Sequence, residues 1–524
     1  MRPPRAMAVA AAPDAPAAAE GGHPKGAAVE IELKLDVPEA AREAVRRRLD
    51  AYGSQPPVPM ASVYFDTADR ALASRGAALR LRRIGDGPDG WIQTLKTDES
   101  PGALSRRGEW EAPVPGSRPL LTDLPGWPLQ KLLGGNPGRL VPVFRTRFER
   151  TARTVHFQGA VIEVAFDEGH IAAGRRREPI CELELELRAG SPSTVFVLAQ
   201  ELIGRGRQAL ALRPNVESKA ARGYRLALGI SAPAAGADAK GFAQLLQPQR
   251  THLDVARRVV GHGVHCVLAN ARGAACGEDL EYVHQARVAL RRTRSALRAM
   301  GVARAPDDPV ARDLRWMAGC LGAVRDWDVL LTETLPVLRK AIGSADETQW
   351  ARLIERAQTR RRRQRMRLRA ALGSARFARA ALRLLQWAEE PAAPTSVPLM
   401  QRARRAIERG HERLISAACN LEDLPPQGRH RVRILAKRQR YALELMAPLL
   451  SGGAPGRTLK RLSRLQQLLG EINDVYVATS MLPQLTRSRD LIERAQRWSE
   501  KVARRNLPKA QARLQRLAHG RAGF

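Results

Sequence analysis

Cysteine is scarce and scattered. The five cysteines among 524 residues (Cys181, Cys266, Cys276, Cys320 and Cys419) are odd in number and contain no C-x-x-C pair. That argues against a disulfide framework or a thiolate zinc site and points to a reducing compartment, the cytoplasm. Aromatic residues are only 4% of the chain, too few for stacking platforms that read nucleic acid. With no helix-turn-helix or RNA-binding signature either, no specific nucleic-acid partner is expected. No apolar run approaches the roughly 20 residues that span a bilayer. The longest charge-free candidate, Val259 to Ala271, is broken by His262 and His265, so no membrane partner is expected. A G-x-x-x-x-G-K-[ST] loop is missing too, which disfavours a P-loop hydrolase. The last deficit is of negative charge. Asp and Glu number 53 against 87 Lys and Arg, a net of +34, and a field of that sign calls for a polyanionic partner.

What is present divides the chain. At 524 residues, 44% of them hydrophobic, it is too long for one core and apolar enough for several. Residues 1–26 are Ala/Pro-rich without a continuous apolar stretch and read as a disordered tail. From 27 to 228, short alternating runs separated by Gly and Pro read as strands, with helices from Pro38 and Ser193. Residues 229–241 have linker composition. From 242 to 524 the alternation gives way to helical periodicity rich in Arg, Leu and Ala. This last part holds 53 basic and 25 acidic residues, a net of +28, leaving +6 for everything before it. The expected class is multidomain α+β, a β part followed by an all-α part.

The strands carry charge in an ordered way. Side chains alternate between the faces of a strand. Glu30, Glu32 and Lys34 therefore share one face and Val29, Ile31, Leu33 and Leu35 the other. Arg80 and Arg82 alternate with leucines, Glu109 and Glu111 flank Trp110, and Arg145 and Arg147 alternate with phenylalanines. Glu163 and Asp167 oppose Ile162, Val164 and Phe166, while Glu182, Glu184 and Glu186 alternate with leucines; Lys96 and Lys219 add cations. Any one strand reads most simply as a solvated face. Together, acidic and basic strands with large apolar faces are accommodated by a closed sheet with a charged lumen. Carboxylates on one wall and cations on another suit a metal–polyphosphate complex.

Glu30-x-Glu32-x-Lys34 with these later strands resembles the CYTH, or triphosphate tunnel metalloenzyme, superfamily. The resemblance implies an antiparallel β-tunnel with flanking helices that hydrolyses a triphosphate, most simply inorganic triphosphate, with Mg²⁺ or Mn²⁺. It implies metal ligands Glu30, Glu32, Glu182 and Glu184, with Glu163 and Asp167 contributing. Lys34, Arg80, Arg82, Lys96, Arg145, Arg147 and Lys219 would bind phosphates. Glu30, Glu32, Lys34 and Lys96 are the expected catalytic set.

The helical part repeats itself. His284-x-x-Arg287-x-x-x-Arg291-Arg292-x-Arg294 recurs as His430-x-x-Arg433-x-x-x-Lys437-Arg438-x-Arg440, followed by Leu321-Gly322-x-x-Arg325-Asp326 and Leu469-Gly470-x-x-Asn473-Asp474. On a helix each cationic set falls in a stripe about 80° wide. Like charges stacked this way repel unless an anion compensates them. The Arg-dense run from Arg356 to Arg369 reads instead as a solvated face. The repeat resembles the CHAD domain (conserved histidine α-helical domain), implying two duplicated four-helix bundles that bind inorganic polyphosphate through His284, Arg287, Arg291, Arg292, Arg294, His430, Arg433, Lys437, Arg438 and Arg440. Asp326 and Asp474 are expected to anchor arginines, and the protein to associate with polyphosphate granules. Two alternatives stay open: a non-catalytic polyphosphate-binding protein, and a tunnel enzyme acting on an organic triphosphate or nucleotide, cyclase chemistry included.

Overall fold

The computed structural model describes residues 28–84, 90–100, 105–121, 128–133, 140–247, 250–277, 279–302, 305, 307–343, 347–390, 397–450 and 454–518. The expected tail, 1–26, lies outside them. The first half is an antiparallel sheet of β1 (Ala28–Asp36), β2 (Val58–Asp66), β3 (Ala77–Ile84), β4 (Trp91–Ser100), β5 (Ser105–Val114), β6 (Val141–Phe157), β7 (Ala160–Ala173), β8 (Arg176–Ala189) and β9 (Arg213–Asn215). Its helices are α1 (Arg42–Asp50), α2 (Ala71–Ser74), α3 (Leu129–Leu133), α4 (Pro192–Ile203) and α5 (Lys219–Leu228).

β1 closes the sheet on itself. Ala28 to Glu32 pair with β5, Glu32 to Asp36 pair with β8, and Lys34 to Asp36 also pair with β9. Eight strands thus form a ring in the order β1-β5-β4-β3-β2-β6-β7-β8, with β9 flanking it. Closure removes the sheet edges. Outward-facing Leu33, Leu35, Ile162, Phe166, Leu183 and Leu185 are buried with Val45 and Leu49 of α1 and Val195 and Phe196 of α4. On the opposite flank Leu79, Leu81 and Leu95 pack with Leu72, Leu129 and Leu133. Each such leucine contributes roughly 2 kcal/mol of burial. The apolar faces point outward under helices, which leaves the charged faces for the lumen.

The second half is helical, comprising α6 (Ala239–Ala243), α7 (His252–Cys276), α8 (Glu281–Met300), α9 (Pro309–Val329), α10 (Leu335–Ile342), α11 (Glu347–Leu372), α12 (Ala375–Glu389), α13 (Leu399–Ala417), α14 (Pro426–Met446), α15 (Ala454–Met481) and α16 (Arg489–Ala518). Start signals are explicit. Thr251 and Asp254 form a capping box on α7, and Asp308 caps α9 ahead of Pro309. The repeated basic motif lies on α8 and α14, and the Leu-Gly motif on α9 and α15. The repeats are not separate cores. α8 packs on α13 and α14, and Trp327, Leu330, Leu338, Trp350 and Leu353 share a core with Leu482, Leu485, Leu491 and Ala495.

The halves also pack on each other through α4 and α12. Gln200 Nε2 donates to Gln386 Oε1 at 2.9 Å, and Arg379 Nη1 donates to the Gly204 carbonyl at 3.0 Å. The stretch expected as a linker is bonded to the helical half at Ala235 and Ala237. Asn270 bonds both backbone groups of Ala235 (3.0 and 2.9 Å), and Gln285 Oε1 accepts from the Ala237 N–H at 2.9 Å. Among the described residues no helix is long and apolar enough to cross a membrane.

Candidate functional site

The lumen encloses about 670 Å³. Of the residues singled out from sequence, Glu30, Glu32, Lys34, Arg80, Arg82, Lys96, Glu109, Glu111, Glu163, Glu184, Glu186 and Lys219 line it. Asp167 and Glu182 are fully buried against it, each in contact with Lys219 Nζ (2.7 and 2.5 Å). Arg145 and Arg147 are not brought there. Both are exposed on the outer face of β6, and the lumen face carries Phe144, Thr146, Phe148 and then Arg150. The reason is α5, whose Ala220 and Tyr224 pack with Tyr64, Phe144 and Phe148. Phe144 stacks on Tyr64 at 4.3 Å. Gly223 permits the approach, because a Cβ there would meet the Phe144 ring at 2.1 Å. With one end of the ring plugged by an apolar helix face, β6 turns its aromatics inward and its first arginines outward. Sequence reading missed Arg150, Arg188 and Tyr64, all lumen residues, and assigned no role to Glu186. Period-two alternation does put Arg150 on the face of Phe144 and Phe148, the face that the sequence reading turns away from the lumen.

The lumen charges interlock. Lys34 Nζ donates to Glu32 (2.8 Å) and Glu184 (2.6 Å), and Lys96 Nζ to Glu30 (2.7 Å) with Glu109 at 3.0 Å. Lys219 Nζ bonds Asp167 (2.7 Å) and Glu184 (2.8 Å); Arg150 forks onto Asp167 (2.7 and 2.6 Å) and also reaches Glu184. Burial raises the Glu184 carboxyl, but Lys219, Lys34 and Arg150 outweigh it and hold the group well below its ordinary range. Burial also raises Glu30, against which Lys96 and Lys34 prevail.

Two sets of carboxylates differ in compensation. Asp167, Glu182 and Glu184 place oxygens within 4.8 Å of one another, but Lys219, Arg150 and Arg222 already neutralise them. Glu32 faces Glu186 across the β1–β8 ladder. Burial first, then the neighbouring Glu184 for one and Glu30 for the other, pushes both up to about 7. Each keeps one cationic partner, Lys34 for Glu32 at 2.8 Å and Arg188 for Glu186 at 2.5 Å. Hard oxygen donors suit a divalent cation, and the buried cluster of Asp167, Glu182 and Glu184 could hold one. On the other wall, burial and the facing Arg80 and Arg150 push the Arg82 guanidinium down to about 10. Cations on that wall and carboxylates around Glu32 and Glu186 complement an anion carried with a cation.

The basic motif residues converge where α8 crosses α14. Lys437 is pushed down to about 7 by burial and by Arg433 and Arg291. Arg292 and Arg440 are instead tied to Glu444 (3.0 and 2.7 Å), and with Arg291 surround Tyr441 at 5.5, 4.8 and 5.0 Å. Arg294 and Arg438 crowd with Arg298, and burial and Arg438 push Arg298 down to about 10. Arg287 lies 3.9 Å from Asp326 and Arg433 3.1 Å from Asp474. His430 Nδ1 meets Asn473 Oδ1 at 2.6 Å. His284, lacking that partner type in its own copy, is held down by burial and by Arg325. Gly322 makes room for Arg287, since a Cβ would lie 2.6 Å from its Nη1, whereas Gly470 faces open space.

A CYTH domain model matches residues 28–224 and a CHAD domain model residues 258–483. The chain is a CYTH domain followed by a CHAD domain. It is similar to the inorganic triphosphatase of Haemophilus influenzae, with 34% identity over 146 residues, 27% of this chain and 40% of that protein. The match thus spans well under two thirds of that relative. Among solved structures, the CHAD domain of the plant Ricinus communis is 28% identical with a TM-score of 0.47, covering 56% of this chain and 98% of its own. A Hippeastrum protein with a dominant triphosphatase activity is 19% identical with a TM-score of 0.27, covering 39% and 98%. The lumen constellation lies within the CYTH domain, and the α8–α14 crossing within the CHAD domain.

Proposed function

We propose that the CYTH tunnel hydrolyses a triphosphate, inorganic triphosphate foremost, with Mg²⁺ or Mn²⁺, and that the CHAD domain binds inorganic polyphosphate. The observation that carries the first part is the polarity of the lumen: cations Arg80, Arg82 and Arg150 on one wall, carboxylates Glu32 and Glu186 on another. The Haemophilus relative's name supports the same reading. Glu30, Glu32 and Glu186 would hold the metal, which supplies Lewis-acid polarisation of a phosphoryl oxygen. Lys34, Lys96, Arg80, Arg82, Arg150 and Lys219 would grip phosphate oxygens and neutralise charge on the leaving diphosphate. Asp167, Glu182 and Glu184 would orient those cations, and Glu163, paired to Arg188 at 2.7 Å, lies at the margin.

A second reading, an organic triphosphate, is favoured by the apolar lining of Pro56, Val58, Met60 and Ile84. Phosphate release measured in parallel on inorganic triphosphate and nucleoside triphosphates, with Mn²⁺, separates the two. A preference of about tenfold or more for the inorganic compound is expected; a preference for the nucleotides would reverse the assignment.

For the CHAD domain, Arg287, Arg291, Arg433 and Lys437 form a cationic group without sufficient acid nearby. Polyphosphate binding there would place the protein at cytoplasmic polyphosphate stores. Retention on long polyphosphate at raised salt, beyond retention on DNA, is expected; equal loss of both would contradict specificity.

A further inference from the structure

One ion-paired chain runs from the CHAD domain into the tunnel wall. Glu178 of β8 is buried outside the lumen, and its carboxylate accepts from three guanidiniums. Arg222 Nε donates to Oε1 at 3.0 Å, Arg272 Nη1 donates to the same oxygen at 2.9 Å, and Arg225 Nη2 donates to Oε2 at 2.9 Å. Arg222 and Arg225 come from α5, whereas Arg272 comes from α7, on the other side of the chain's division. Arg222 does not stop at Glu178. Its Nη1 donates to Glu182 Oε2 at 3.0 Å, and Nη2 to the Pro179 carbonyl at 2.5 Å. Glu182 in turn lies 2.5 Å from Lys219 Nζ, a lumen cation.

We propose that Arg272 is a positioning residue for the tunnel, setting the placement of Lys219 through Glu178, Arg222 and Glu182. The inference rests on the tunnel's proposed handling of triphosphate. The sign follows from competition at one oxygen. Arg272 and Arg222 share Glu178 Oε1, so Arg272 relieves the pull of Glu178 on Arg222 and leaves Arg222 free to bond Glu182. Without Arg272, Arg222 moves toward Glu178, Glu182 loses a donor, and its freed charge draws Lys219 away from the lumen. Anion binding then weakens. The ladder is stiff enough to transmit this, because Arg222, Glu178, Glu182 and Lys219 are all at least nine-tenths buried and buried charged networks have few alternative partners. The side chain of Arg272 itself is 63% exposed, so replacing it costs little packing.

The test is calorimetric binding of inorganic triphosphate to the full chain and to Arg272→Met, Glu178→Gln and the double variant, with thermal melts alongside. Arg272→Met should weaken binding about fivefold with an unchanged melt, and Arg272→Lys should recover part of it. The two single losses should fall short of adding in the double variant. Strictly additive losses, or an Arg272→Met that binds like the unaltered chain, would overturn the inference while leaving the tunnel reading intact. No binding by the unaltered chain would overturn both.

Discussion

Glu32 and Lys437 are side chains of opposite sign whose charge is open to change near neutrality. Glu32 binds its proton more tightly in the folded chain, at about 7 against an ordinary 4.5. Its contribution to stability is therefore greatest below the unfolded value and is lost as pH rises through about 7. A divalent cation among Glu30, Glu32 and Glu186 should restore that loss, so Mn²⁺ should raise the melting temperature more at about pH 8 than at about pH 6. Equal shifts at both would contradict it. Lys437 has the opposite polarity. Pushed down to about 7, it gains its proton as pH falls, so polyphosphate should bind more tightly below neutrality. Lys437→Met should flatten that dependence in a binding series. Residue by residue, β6 separates surface from site. Arg150→Ala should raise KM for triphosphate roughly tenfold or more, as expected when a buried, bonded charge is removed. Arg145→Ala, exposed on the outer face, should leave it within about twofold.

At the scale of elements, the strand faces explain what could be read in advance. β1, β3 and β8 alternate charge with leucine so regularly that their lumen residues were visible from spacing, and the ring then needed only β1's double pairing. β6 alternates just as regularly, yet its lumen face is aromatic where α5 covers it. Nothing local to β6 reveals a plug delivered by a helix some 70 residues later. The same holds for 229–241, whose linker-like composition gives no hint that Asn270 and Gln285 bind its backbone. The helical repeat was legible because its spacing is duplicated, but the sharing of cores between repeats depends on tertiary contacts. The plug is testable. Gly223→Val drives a side chain into Phe144 and should destabilise the protein by about 2 kcal/mol or more, read from denaturant unfolding.

At the scale of the molecule, the two domains are packed together through α4 and α12, not strung on a free tether. The +28 of the helical part would draw polyanions by its long-range field, with an on-rate that falls as salt rises. The tunnel, close to balanced overall, would instead work through the opposed charges of its walls. That division makes the tunnel's chemistry the central claim. The direct test is phosphate release from inorganic triphosphate by the full chain, with and without Mn²⁺ or Mg²⁺, beside Glu30→Gln. The account predicts release that requires the metal and falls about a hundredfold or more in the variant. Metal-independent release, no release, or a variant as active as the unaltered chain would contradict it.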